Sequence, residues 1–260
     1  MARSEIETGS STVEQFFAWI NERHRIYVKR FVEGKPKPWT EDEIMLDYKF
    51  TNVFRELDKG TIALRMMERH AVEQLNETHD PERAFDLAKL IVWNTFWYRT
   101  FNWYEHAQAL GFTQTFEQVD AYFRKLSSQG KRIFTGAHMV RGDGGEIKVF
   151  PYLRLLHTVW LDLENLTGNL LQYHTLKNAV ARTMEYHLVG KFNAYELACD
   201  WQQNILADAP DKLTWGSVGP GAERGMRRLG LPPTNESMVW LWRAAPKYLE
   251  PHVLKHHPWC

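Results

Sequence analysis

Residues 186–201 read YHLVGKFNAYELACDW, and residues 214–230 read TWGSVGPGAERGMRRLG. A helix leads into the short Gly turn Leu188-Val189-Gly190-Lys191-Phe192. A second helix then places Ala194, Leu197, Ala198 and Trp201 on one side, at helical spacing. The later turn, Gly219-Pro220-Gly221, opens a basic helix carrying Arg224, Arg227 and Arg228. A helix N-terminus presents unpaired backbone N–H groups and a positive dipole end, which suit a phosphate. Gly190, Lys191, Gly219, Gly221 and Arg224 are therefore candidate contacts to a DNA backbone. A bare Gly between two helices is also an ordinary helix end. The pair of turns is more specific than either turn alone.

Working outward, most of the chain carries the same periodicity. Val13, Phe16, Phe17 and Ile20 begin an amphipathic helix running toward Phe31, with Glu22, Arg23, Arg25 and Lys29 on another face. Gly34-Lys35-Pro36-Lys37-Pro38 forces a loop. Thr40 and Glu43 form a capping box, and Trp39 is placed to staple onto Ile44. The helix they start buries Phe50, Val53, Phe54 and Leu57, with Asn52, Arg55, Glu56 and Lys59 on another side. Asp80-Pro81 caps and starts the next helix, which runs on into an aromatic segment, Trp93 to Tyr104. Thr115 and Gln118 form a second capping box, and Gly130 is a stop. Residues 131–150 are the least helical. There Arg141-Gly142-Asp143-Gly144-Gly145 reads as the turn of a small hairpin or as an active-site loop. Helices resume over Tyr152–Leu163, Leu176–His187 and Met238–Arg243. The count is about ten helices with little or no sheet, an all-α protein. Residues 1–12 read as a mobile N-terminus, 13–245 as one helical domain of two intimate lobes, and 246–260 as a tail.

The length of 260 residues suits one such domain. With 44% hydrophobic and 25% charged residues, the composition is that of a soluble globular protein. The formal net charge is zero, so any charge that meets DNA must be local. Eleven Trp is high for this length. Most read as core, while indoles also stack on bases or line pockets. The two cysteines, Cys199 and Cys260, give no disulfide framework and suit a reducing cytosol. Cys199, between Ala198 and Asp200 on a helix, reads as a buried core thiol rather than a nucleophile. No apolar run is long enough to span a membrane, and the polar start is not a signal peptide. A Walker A motif is lacking, which excludes nucleotide-dependent kinase chemistry from this chain. His252, His256, His257 and Cys260 have the chemistry of metal ligands, but Pro258 favours a solvated tail, and no metal is assigned.

The two Gly turns resemble those of base-excising DNA glycosylases. There the later turn supplies an aspartate before a helix ending in Arg-Leu-Gly. Gly219-Pro220-Gly221 stands at that place here, which argues for base chemistry other than cutting the glycosidic bond. Asp200, in the helix after the first turn, reads as a cap or salt-bridge residue or as a catalytic carboxylate.

A second constellation runs from Lys37-Pro38-Trp39-Thr40 through Asn52-Val53-Phe54-Arg55-Glu56-Leu57-Asp58. It reads as a solvated helix face, or as carboxylates set beside arginines that hold a phosphate and deprotonate an amine. With ERHRIYVKRF, GKPKPWTEDEI and FTNVFRELDKGT near the start, and GKFNAYELACDW and TWGSVGPGAERGM further on, the chain resembles a bacteriophage family. These are the thymine-hypermodification proteins first called α-glutamyl/putrescinyl thymine pyrophosphorylases. The family includes amino acid:DNA transferases and the helical domain attached to 5-hydroxymethyluracil DNA kinases. The resemblance covers most of residues 16–230.

The resemblance implies a glycosylase-like helix-hairpin-helix fold acting on double-stranded DNA that contains phosphorylated 5-hydroxymethyluracil. It implies replacement of the phosphate or pyrophosphate on the 5-methylene by an amino acid or polyamine, such as glycine. A functional link to a P-loop DNA kinase follows, as does a setting in the cytoplasm of the infected bacterial host. The family's motif maps onto Arg23, Trp39, Asn52, Arg55, Glu56, Asp58, Gly190, Asp200, Gly219, Gly221 and Arg224. From the chemistry, Arg55 and Arg23 are expected on the leaving phosphate, with Glu56 or Asp58 as base. Asn52 would orient the uracil edge or the amino acid carboxylate, and Trp39 would line a base pocket. No cofactor is required by this scheme.

Overall fold

A computed structural model describes residues 10–136 and 145–255. Among them there are thirteen α-helices and no strand. In chain order they are α1 Ser10–Tyr27, α2 Glu43–Asp47, α3 Lys59–Glu77, α4 Pro81–Phe101, α5 Tyr104–Leu110 and α6 Phe116–Ser128. Then follow α7 Val149–Leu161, α8 Leu163–Tyr173, α9 Leu176–Thr183, α10 Lys191–Trp201, α11 Pro220–Arg228, α12 Asn235–Tyr248 and α13 Pro251–Leu254. The chain divides into two compact units. One is continuous, Lys59–Ser217; the other joins the described residues up to Asp58 with those from Val218 onward.

The continuous unit is built around α4. Asp80 caps it, accepting from Glu82 N at 3.0 Å, and Pro81 fills its first position, as expected from the sequence. Every residue from Ile91 to Phe101 is buried, so α4 is a central helix with no solvent face in that stretch. Helices α3, α7, α8 and α10 pack against it. Trp93, Trp97 and Trp201 are fully buried, whereas the other described Trp are half-buried or, at Trp240, exposed, so fewer are core than expected from the sequence. Each fully buried Leu or Phe in this cluster, such as Leu64 or Phe96, contributes about 1.5–3 kcal/mol.

One polar group in this core, Asn94, is wholly used. Its Oδ1 accepts from Thr113 N at 2.8 Å and from Trp97 Nε1 at 2.9 Å, and its Nδ2 donates to Thr113 O at 2.8 Å. The segment before α6 is pinned to α4 in this way. The Thr115–Gln118 capping box then forms as expected, and Gly130, at φ 63°, follows α6 as a stop.

In the discontinuous unit, α1 packs on α12 and α13 through Val13, Phe17, Ala245, Leu249 and Val253. Phe17 stacks on Tyr248 at 5.0 Å between ring centroids. Asn21 joins the two segments: its Nδ2 donates to Tyr248 O at 3.0 Å and its Oδ1 accepts from Glu250 N at 3.1 Å. The stretch expected as a tail from residue 246 is therefore folded as far as Lys255, and Val253 is fully buried. Residues 256–260, with His256, His257 and Cys260, lie outside the described residues, as do residues 1–9 and the turn 141–144.

The expected helix from Thr40 through Leu57 is not one helix. Thr40 is buried, and its Oγ1 accepts from Asp42 N at 3.2 Å, so it is spent on a local turn. Asp42 takes over as cap, accepting from Met45 N at 2.9 Å, and α2 stops after five residues. The staple does not form: Ile44 is 61% exposed, and the Trp39 indole N–H donates to Lys35 O at 2.7 Å. Residues 48–54 are irregular, and only Arg55–Leu57 makes a 3₁₀ turn. Two side chains satisfy backbone groups that a helix would otherwise pair. Asn52 Nδ2 donates to Leu57 O at 2.8 Å, and Asp58 Oδ1 accepts from Asn52 N at 3.0 Å.

Candidate functional site

The same local bonds bring the N-terminal candidates together. Asp58 accepts the Asn52 N–H and faces the charges of Arg55 and Arg23. Its half-buried carboxyl is pushed above the ordinary aspartate range by burial, which outweighs the Asn52 hydrogen bond and the two arginines. Arg23 is held from three sides. Its guanidinium lies 4.6 Å from the Trp19 ring centroid and 5.4 Å from that of Phe50, and it donates to Thr51 O. Burial lowers its pKa, against the pull of Asp58. Glu56 is half-buried in the 3₁₀ turn beside them. An irregular, side-chain-braced loop with Arg55 and Asp58, met by Arg23 from α1, can hold a phosphate and take a proton.

Trp39 lines a groove of about 470 Å³ with Glu22, Arg25, Lys29, Thr40 and Asp42. Arg30 and Lys37 both lie over its ring, at 5.0 and 5.3 Å. Lys29 donates to Trp39 O at 2.7 Å, which fixes this wall. Partial burial raises the Glu22 pKa, but hydrogen bonds from Thr40 and Arg25 leave it below its ordinary value.

The first Gly turn lies in the continuous unit. Tyr186, at its base, donates to Asp162 Oδ2 at 2.5 Å, and Arg182 pairs with the same carboxylate. The left-handed residue of the turn is Leu188, at φ 70°, rather than the glycine. Gly190 is extended, at φ −83° and ψ 166°, and serves as the N-cap of α10. Lys191 and Phe192 are exposed just after it. Neither its dihedrals nor its surroundings require glycine, because a Cβ there would meet nothing within 4 Å. Gly190→Ala is therefore expected to cost at most about 1 kcal/mol, the difference between Gly and Ala at an N-cap. Thermal melting checks this, and a larger drop in DNA affinity would report a close approach by phosphate.

The second turn belongs to the discontinuous unit. Gly219 caps α11 and Pro220 is its first residue, as expected from the sequence. Gly221 and Arg224 are exposed, and Met226 is the buried anchor of the helix. Arg227 is tied to Glu223 at 2.8 Å.

Asp200 sits in a network that the sequence reading missed. It is fully buried on α10, and Arg99 of α4 grips both its oxygens, with Nη2 to Oδ1 at 2.9 Å. Arg65 of α3 adds a bond at 3.2 Å and reaches Glu68 at 3.4 Å. Glu68, also buried, accepts from Thr95 Oγ1 and from Asn204 Nδ2. Arg99 further donates to Asn102 Oδ1 at 3.0 Å and Thr61 Oγ1 at 3.3 Å. One signal was present in the sequence. An arginine inside the aromatic run Trp93–Tyr104 must be paired if that run is core. Arg65 and Glu68, three residues apart on an amphipathic helix, look like an ordinary surface pair.

Burial drives the Glu68 pKa up to about 8, against the Thr95 hydrogen bond and the Arg65 charge. Its folded pKa exceeds the unfolded value of 4.5, so its contribution to stability is full below that value. The contribution is lost as pH rises toward 8. Unfolding free energy should accordingly fall between those pH values, by at most about 1.4 kcal/mol per pH unit from this group, and melting temperature with it. Glu68→Gln should flatten the profile, which scanning calorimetry over pH checks.

Cys199 is half-buried and lies against Tyr195. Among the described residues no three His, Cys, Asp or Glu side chains are grouped so as to hold a metal ion. No helix among them is long and apolar enough to cross a membrane.

Over residues 10–256 the chain matches the family described as the helical domain of 5-hmdU DNA kinase. It is 28% identical over 244 residues to a protein of Bacillus phage SP10 named 5-hmdU DNA kinase. That match covers 86% of this chain and 37% of the relative, so the chain spans little more than a third of the relative's length. No solved structure matches.

Proposed function

The chain belongs to the family of 5-hmdU DNA kinase helical domains, and from that premise we propose that it transfers an amine onto modified thymine in DNA. The substrate is double-stranded DNA whose 5-hydroxymethyluracil has been phosphorylated, within phage thymine hypermodification in the host cytoplasm. The observation that carries the reading is the meeting of Arg23, from α1, with Asn52, Arg55 and Asp58 of one braced loop.

The amine nitrogen forms a bond to the 5-methylene carbon as the carbon–oxygen bond to phosphate or pyrophosphate breaks. The leaving oxygens take the electron pair. Arg55 and Arg23 meet the charge that builds there. The proton released from the nitrogen passes to Asp58 or Glu56, and the raised pKa of Asp58 suits it to accept one. Asn52 orients the uracil edge or the amino acid carboxylate, and Trp39 walls the groove for the base. Gly190 and Lys191 at the start of α10, and Gly219, Gly221 and Arg224 at α11, hold phosphates of the backbone. We give Asp200 a supporting role, since both its oxygens are engaged by arginines.

The test is incubation of the protein with phosphorylated 5-hydroxymethyluracil DNA and a panel of amino acids and polyamines. The DNA is then digested to nucleosides for mass spectrometry. A mass shift matching one amine in place of the phosphate or pyrophosphate is the expected result, and no shift with any amine rejects the transferase. A second reading is favoured by the short span of the kinase relative that is matched. On that reading the chain is a DNA-binding helical domain without turnover. It predicts salt-dependent DNA binding, no mass shift, and stimulation of a separately supplied P-loop kinase.

A further inference from the structure

Between α3 and α5, wholly within the continuous unit, lies a cavity of about 400 Å³ that none of the roles above uses. This is within the usual range for small-molecule pockets. Ile62, Met66 and Met67 give it apolar walls, and Lys59, Tyr104 and Gln108 add polar groups. Met66 and Ile62 are 74% and 43% exposed, so the cavity has an exposed apolar edge. The Lys59 ammonium lies 5.8 Å from the Tyr104 ring centroid, so a cation and an aromatic ring serve the same part of the cavity. Gln108 is exposed and makes no hydrogen bond to another described residue.

Each feature selects the same ligand. Thioethers and a phenol ring make favourable contacts with a planar ring. A carboxamide offers both donor and acceptor, the set that pairs with the amide or imide edge of a nucleobase. An ammonium at the first residue of a nineteen-residue helix adds to the positive end of that helix and favours an anion. A planar ring, an amide edge and an anion together describe a nucleotide. A lipid chain would use the apolar walls but leave the carboxamide and ammonium without a purpose.

We propose that this cavity binds one nucleotide other than the reacting one. Its base lies against Tyr104 and the methionines, Gln108 pairs with its amide edge, and Lys59 meets its phosphate. The source is a neighbouring unstacked nucleotide of the DNA or a free nucleotide, and the two share this chemistry. Lys59 directly follows Asp58 in the chain, so the cavity begins one residue after the proposed proton acceptor.

The test uses the full chain and titration calorimetry with thymidine 5′-monophosphate, thymidine, a thymidine dodecamer and an abasic dodecamer. Binding of the monophosphate is expected. Gln108→Leu should weaken it about tenfold, in keeping with loss of one bidentate base contact. Lys59→Met should weaken the monophosphate but not thymidine. These side chains are exposed, so melting should be unchanged. Displacement of the monophosphate by the thymidine dodecamer, and not by the abasic one, identifies a strand nucleotide. Failure of either dodecamer to displace it identifies a free one. Equal displacement by both dodecamers, no binding of the monophosphate, or wild-type affinity in both variants overturns the proposal. None of these outcomes depends on amine transfer, which the mass-spectrometric assay reads separately.

Discussion

Asp200→Ala is expected to destabilise the Lys59–Ser217 unit by about 3–5 kcal/mol, the usual cost of removing one partner from a buried ion pair. Arg99 would be left with its guanidinium buried and its main acceptor gone. Its bonds to Asn102 and Thr61 would remain but do not offset a charge. For a unit of this size the loss corresponds to a fall in melting temperature of roughly 10 °C. The variant also separates two roles for this carboxylate. A supporting role predicts that transfer activity per folded molecule survives at a temperature where the variant remains native. A drop of a hundredfold or more in well-folded variant would return Asp200 to the reacting centre. Calorimetry with activity measured on the same sample decides between them.

Arg55→Ala should lower amine transfer by about 10²–10³, the range found when one charge-stabilising donor is removed from a reacting centre. The fold should change little, because Arg55 lies in a short 3₁₀ turn outside the buried cores. An unchanged rate would remove Arg55 from the leaving-group role. The pH profile adds an independent reading. If Asp58 accepts the proton, kcat/KM rises with pH through a pKa above the ordinary aspartate value, because burial raises it. Asp58→Asn should abolish that rise. It should leave the loop largely intact, since an Asn side chain can still accept the Asn52 N–H.

Where local chemistry has one solution, the sequence was readable. Asp80-Pro81 and Thr115 with Gln118 each satisfy the open N–H groups of a helix start, and both form as read. The buried face of α10 follows from its spacing, because Ala194, Leu197, Ala198 and Trp201 fall on one side. Thr40 looked equally clear, yet a threonine hydroxyl can serve a turn as well as a cap. Asp42, two residues on, competes for the same start and wins. The clustering of Arg23 with Asp58 depends on bonds between segments far apart in the chain, which periodicity does not encode. The Glu68–Asp200–Arg99 network is hidden for a similar reason. Its members come from three helices, and although Arg99 inside the aromatic run called for a partner, Glu68 and Asp200 each taken alone resemble a surface charge.

The discontinuous unit has a consequence for the order in which the chain acquires structure. Lys59–Ser217 can close on itself as soon as it has been made. The Asn21–Tyr248 and Asn21–Glu250 bonds span 227 and 229 residues. During synthesis α1 must therefore wait for α12 and α13, with Phe17 and Val13 uncovered meanwhile. Once the intervening unit has folded, it shortens the effective loop that must close, and the remaining entropy cost grows only slowly with length. Helix α1, which carries Arg23, and the loop that carries Asn52, Arg55 and Asp58 both belong to this late-closing part. Competence for chemistry would then be acquired last, after the body of the protein is already in place.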